Sequence, residues 1–371
     1  MKLATAALAA AAAGAIGLGV LTVPAGAGAE PSLPDVSAED LVASVLTAQP
    51  PAFGGTVEVD NALGLPALPG LSEGPAPLTQ PVTTFRVWSD GQGRGRLALP
   101  SRGGEQVLVE DGTTLWRYDS SSRTATALEH GPAQAPERAP VADPAQAARE
   151  LVGAVRQSSE VAVDGTAEVA GRPVYELVLT PKPTERTLLR EVRVAVDSVT
   201  RVPLQLTVMS DGSADPALQI GFSDLDVGKQ DPALFRFTPP KGVTVERHEA
   251  SHTPPGHHAR PGHHHAAPGG APDDHRPGQD MIRTVGDGWD TVVLGRLPVA
   301  PAKDADMSTG KGTRAETDPL AMVQQIGRPA SGPWGNGWVV QTAVGTVLVA
   351  SDGRVAAGAV PQQVLDEALT R

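Results

Sequence analysis

A period of two runs through the middle of this chain and limits what it can fold into. Val192, Val194 and Val196 alternate with Glu191, Arg193 and Asp197, and Leu204, Leu206 and Val208 alternate with Gln205 and Thr207. Successive side chains on a strand point to opposite faces, so each stretch has one dry face and one wet face. Antiparallel meanders show that pattern, whereas strands buried on both faces read as unbroken apolar runs. The same pattern predicts strands at residues 56–59, 84–88, 96–99, 106–109, 114–118, 174–179 and 218–222. Ser89-Asp90-Gly91 and Glu110-Asp111-Gly112 supply turns between them.

Two helices interrupt the strands. Ser37 caps the first, residues 38–48, with Asp40 three residues on as the acid of a weak capping box; Leu41, Val45 and Leu46 form its apolar face. Pro50-Pro51 ends it. Asp143 caps the second, residues 144–156, and Pro144 takes its first position. Between the strands at 56–59 and 84–88, residues 61–81 read as a loop rich in Pro, Gly and Leu. One-sided strands and two amphipathic helices must bury their apolar faces against each other. The predicted class is α+β, mainly antiparallel β. With 3% aromatic residues the core must be aliphatic, and with no cysteine it must hold without disulfides.

The amino terminus is a separate matter. Lys2 is followed by an uncharged run over residues 3–23, then Pro24 and the small residues Ala25-Gly26-Ala27-Gly28-Ala29. Charge, apolar run and small-residue site in that order mark a secretory signal peptide, residues 1–29, cleaved after Ala27 or Ala29. The alternative is an uncleaved anchor, since the run is long enough to span a bilayer. Either way the protein is expected outside the cytoplasm, secreted or held in the cell envelope. Residues 30–248 are read as the main domain. Residues 249–280, rich in Pro, Gly and His, are read as a linker. Residues 281–371 are read as a small α+β domain, with strands at 291–294 and 338–350, a turn at Ser351-Asp352-Gly353-Arg354 and a closing helix at 362–369.

Several chemistries are weighed and set aside. Gly70-Leu71-Ser72-Glu73-Gly74 has the spacing of a nucleophile elbow, but Pro69 and Pro75 flank it where a strand and a helix are needed. Of nine histidines, eight lie between His248 and His275, leaving only His130 elsewhere as a base. His257, His258, His263, His264 and His265 could bind a metal through neutral imidazoles, yet their spacing is irregular in a linker that would have to be ordered. Gly310-Lys311-Gly312-Thr313 lacks the upstream glycine of a phosphate loop. A net charge of −12 argues against nucleic acid as a partner. No enzyme and no cofactor is expected.

A set of motifs then carries a resemblance. Phe85-Arg86-Val87-Trp88, Glu110-Asp111-Gly112, Leu115-Trp116-Arg117-Tyr118-Asp119 and the long segment from Asp231-Pro232-Ala233-Leu234-Phe235 to Pro239-Pro240-Lys241-Gly242-Val243 stand in this order. Residues 37–246 thereby resemble the LolA-like family, which joins the periplasmic lipoprotein carrier LolA to the amino-terminal domain of the RseB/MucB regulators. Gly64-Leu65-Pro66-Ala67-Leu68-Pro69-Gly70 resembles the actinobacterial branch. The resemblance implies an unclosed barrel wrapped around helices, with the last segment as its closing strand. It also implies an apolar cavity, for which Phe85, Val87, Trp116, Leu177, Leu179, Val194, Leu204, Leu206, Val208 and Ile220 are the candidate lining residues. The expected ligand is a lipid or an acylated protein. Two alternatives stand beside this carrier: an envelope-stress regulator binding a membrane-bound anti-sigma factor, and a metal-binding envelope protein acting through the histidines.

Overall fold

The computed structural model describes residues 32–65, 80–101, 103–130, 143–249, 282–297 and 319–370. The signal-peptide reading, Ser72 with its flanking glycines, the histidines from His252 to His275 and Gly310 to Thr313 lie outside the described residues.

Among the described residues, two α-helices and twelve strands precede residue 250. Helix α1 is Ala38–Thr47 and α2 is Pro144–Val155. The strands are β1 (Phe53–Asn61), β2 (Val82–Ser89), β3 (Gly95–Ser101), β4 (Gly104–Glu110), β5 (Thr114–Asp119), β6 (Thr124–Glu129), β7 (Ser159–Val169), β8 (Arg172–Pro181), β9 (Leu189–Asp197), β10 (Pro203–Ser210), β11 (Pro216–Val227) and β12 (Thr244–Glu249). They form one sheet in the order β12-β6-β5-β4-β3-β2-β1-β11-β10-β9-β8-β7. Two meanders, β1 to β6 and β7 to β11, meet where β1 pairs antiparallel with β11. Strand β12 then returns to pair with β6, in parallel. The two edge strands β7 and β12 do not meet, so the sheet is unclosed.

The described residues from 282 onward hold a second sheet. Its strands are β13 (Ile282–Val285), β14 (Val292–Arg296), β15 (Arg328–Gly332), β16 (Gly335–Gln341), β17 (Thr346–Ala350) and β18 (Arg354–Gly358). They run β13-β14-β18-β17-β16-β15. Helices α3 (Pro319–Ile326) and α4 (Gln362–Thr370) accompany them. Val364, Leu365 and Ala368 of α4 join Leu294, Val339, Leu348 and Ala356 in one core. Among the described residues no helix is long and apolar enough to cross a membrane.

Local chemistry explains the helix starts. Ser37 Oγ accepts the Asp40 amide at 3.1 Å and donates to the Asp40 carboxylate at 2.7 Å. Asp143 accepts the Gln146 amide at 2.9 Å. Each cap satisfies a first-turn N–H that has no partner within the helix.

Three expectations are corrected, and one strand that the sequence pattern did not predict is added. Residues 231–243 are not a closing strand: Pro232–Phe235 is a single 3-10 turn capped by Asp231, with Phe235 buried. Three prolines in that segment withhold ladder donors, and β12 begins only at Thr244. Residues 338–350 hold two strands, because Thr342 and Gly345 close a turn within them. Strand β6 carried little apolar signal, since its inward residues are the fully buried Ala125 and Ala127. Finally, the alternation puts Asp197 on a wet face, whereas it is fully buried. It is accommodated there by Arg172, described below.

Candidate functional site

The apolar sides of α1 and α2 lie against the end of the larger sheet and leave a cavity of about 160 Å³ between them. Helix α1 contributes Leu41, Val42, Val45 and Leu46, and α2 contributes Leu151, Val152 and Val155. Both sets follow the three- and four-residue spacing that gathers side chains on one helix face. Strands supply the facing wall at a spacing of two: Leu177 with Leu179 on β8 and Val194 with Val196 on β9, joined by Val161 and Pro203. An ion pair between Arg156 and Glu39 ties the two helices together, and the Tyr175 hydroxyl donates to the Pro34 carbonyl at 3.0 Å beside Leu41.

Every lining side chain is hydrocarbon. A water molecule needs two to four polar partners to occupy such a space, so the cavity favours an apolar guest. It offers no side-chain acid, base or nucleophile to a reaction. Its volume resembles that of an apolar cavity of ~150 Å³ known to take benzene. A few methylenes fit, and a whole lipid chain requires the walls to move.

The ten residues proposed from sequence fall into four groups. Leu177, Leu179 and Val194 line the cavity. Leu206 and Val208 are half-buried on the same face of the sheet, opposite Val194 and Val192 on one side and Ile220 and Leu218 on the other. They extend that apolar face beyond the cavity. Phe85, Val87 and Ile220 pack against the core of Val57, Val59 and Phe222, and Leu204 is fully buried in that core where the β9–β10 register shifts. Trp116 is elsewhere. The ladder places it opposite Val109, Val109 opposite Arg96 and Arg96 opposite Trp88, so it faces away from Val87. It packs on Phe237, ring centroids 5.4 Å apart, with the Arg247 guanidinium 5.6 Å over it. The sequence marks Leu41, Val45 and Leu46 as an apolar helix face, but it does not single out Val42, Leu151, Val152 or Val155, nor show which part of the sheet the helices face.

Two buried carboxylates frame the electrostatics. Burial alone would push the Asp197 carboxyl up, but the Arg172 guanidinium and the Thr200 and Val199 donors outweigh it and hold it below the usual carboxylate value. Glu58 has no such help. It is 9% exposed, its Oε1 has no hydrogen-bond partner, and burial, reinforced by Asp60, pushes its carboxyl up. It points away from the cavity side, opposite Gly221 and Thr84.

Fold and cavity together describe an unclosed antiparallel sheet that holds an apolar space against a pair of helices. Among solved structures the chain is similar to MucB in complex with MucA(peri), at 16% identity and a TM-score of 0.43 over 90% of this chain and 97% of that one. It is similar to the Pseudomonas aeruginosa MucA/MucB complex structure at 17% identity and 0.42, over 90% and 96%. A LolA superfamily protein from Nitrosomonas europaea matches 55% of this chain and 99% of its own, at 13% identity and 0.23. No family model and no curated protein matches the chain.

Proposed function

We propose that this protein is a non-enzymatic binding protein of the cell envelope that takes up an acyl chain, from a lipid or a lipid-modified protein, between α1, α2 and the β8–β9 wall. The all-hydrocarbon lining of the cavity carries this reading. Each methylene removed from water contributes about 0.8 kcal/mol, so a few carbons suffice for weak binding and the adjoining face of Leu206 and Val208 offers more. The test is titration with dansylated undecanoic acid. Saturable binding is expected in the wild type. Leu179→Trp, which fills the cavity, should weaken it at least about tenfold, a loss of about 1.4 kcal/mol. Absence of uptake by the wild type, with no lipid extracted from protein made in its own host, would sink the reading.

A second reading is favoured by the smaller sheet. Its edge strand β13 leaves Ile282 78% exposed, and an unpaired strand edge can accept a partner's strand. On this reading the chain is a regulator that binds a membrane-bound anti-sigma factor. Co-purification of such a factor with the full chain, lost on Ile282→Lys, tests it.

A further inference from the structure

We infer that the smaller sheet is seated on the loop that ties the cavity walls together, so that acyl-chain uptake and this seat oppose one another. The inference rests on the acyl-chain reading above.

The loop is residues 182–188, between β8 and β9, and it holds three walls of the cavity at once. It continues the strands that carry Leu179 and Val194. Its Lys182 ammonium donates to the carbonyls of Arg156 and Gln157 at the end of α2, and the Lys182 amide donates to the Ser158 carbonyl at 2.9 Å.

On its other side the same loop carries the smaller sheet. The Leu188 amide and the Thr187 hydroxyl both donate to the Ala359 carbonyl, at 2.9 and 2.7 Å. Glu185 accepts the Trp289 amide at 2.8 Å, and Arg186 bonds both oxygens of Glu367 on α4 at 2.8 and 3.0 Å. The Trp289 indole donates to Ser159 Oγ at 2.7 Å, where Ser159 is buried at the start of β7. The approach is close: a Cβ on Gly288 would stand 2.6 Å from Glu185 and from Ser158.

The sign of the coupling follows from volume. The cavity measures about 160 Å³, enough for a benzene-sized body and too little for a lipid chain. A chain therefore has to part α2 from β8 and β9. Those are the elements joined by the loop, and moving them apart strains the bonds to Ala359, Glu367 and Trp289. Close-packed elements shift between discrete arrangements rather than stretching. Coupling between two sites is reciprocal, so whatever loosens the seat must favour uptake by the same factor. The half-exposed Arg186–Glu367 pair contributes little by itself. The part-buried indole bond to the buried Ser159 and the two bonds to Ala359 carry more.

The experiment compares the full wild-type chain, Trp289→Phe, and the double variant Arg186→Ala with Trp289→Phe. Each is titrated with dansylated undecanoic acid, and hydrogen exchange is followed at the Leu188 amide with and without the probe. The expected result is an affinity gain of at least about fivefold in the double variant, a smaller gain in Trp289→Phe, and faster exchange at Leu188 when the wild type is loaded. Trp289→Phe keeps the ring and serves alone if the double variant does not fold. Equal affinities with unchanged Leu188 exchange would overturn the coupling and leave the acyl-chain reading standing. Failure of every form to bind the probe would overturn both.

Discussion

The Asp197 carboxylate, with no solvent exposure, lies 2.6 Å from Nε and 3.0 Å from Nη2 of Arg172 across the β8–β9 pair. It also accepts from the Thr200 hydroxyl and the Val199 amide, so it closes the β9–β10 turn as well as the ion pair. Removing one partner of a buried pair leaves the other uncompensated, at about 3 kcal/mol or more. Asp197→Ala is expected to lower stability by that order in urea titration. The pH dependence has a defined sign. A carboxyl held low in the folded state contributes stability above its unfolded pKa, and loses it as pH falls through the folded value. The wild type should therefore lose more stability than Asp197→Ala on acidification below about pH 4.

Glu58 predicts the opposite sign. Its carboxyl is pushed up by burial and by Asp60, so the folded state holds the proton more tightly than the unfolded state does. Stability from this group is present at low pH and falls as pH rises from the unfolded value through the folded one. Glu58→Gln removes the charge at similar size. It should stabilise the protein by about 1 kcal/mol at pH 7, the scale of a buried polar group left unsatisfied. The gain should vanish near pH 3. A loss of stability at pH 7 would show that the charged carboxylate has a favourable partner.

Leu206 separates a packed face from a binding face. It is half-buried beside the cavity on the same side of the sheet as Val194. Leu206→Glu should stay folded by circular dichroism, because the new carboxylate retains access to water, and should weaken the acyl probe several-fold. Gln205→Glu points to the other face and should change neither. Unfolding of Leu206→Glu would mean that this face is core.

Composition predicts where the chain is cut. A protease of broad specificity, used sparingly, is expected to cleave first within residues 249–280, the Pro-, Gly- and His-rich stretch, where Arg260 and Arg276 each precede a proline and so resist trypsin. The two fragments should nonetheless stay together on size exclusion, held by Arg186, Trp289 and Leu188. Early cutting across residues 84–240 would count against two separately stable units. In the same stretch, replacing His263, His264 and His265 by alanine should leave folding and probe binding unchanged. A tight stoichiometric metal complex in the parent would favour the metal reading instead.

Much of the fold was legible because its causes are local. The caps at Ser37 and Asp143, the turn at Glu110-Asp111-Gly112 and the alternation through Val192 to Val208 depend on residues a few positions apart. What was not local was not legible. Trp116 and Val87 both look like inward residues of neighbouring strands, and only the ladder through Arg96 and Trp88 shows that they face opposite ways. Asp197 reads as a wet-face acid until Arg172, on the preceding strand, is placed against it. The cavity is the same case. Its walls come from α1, α2 and strands β7 to β10, and a volume between elements is fixed by how far apart they pack. The sequence by itself determined which residues are apolar and how each strand and helix presents them. Tertiary structure decided which of those faces meet in full contact, which leave a space, and which loop holds that space against the second sheet, because such distances depend on pairings between residues far apart along the chain.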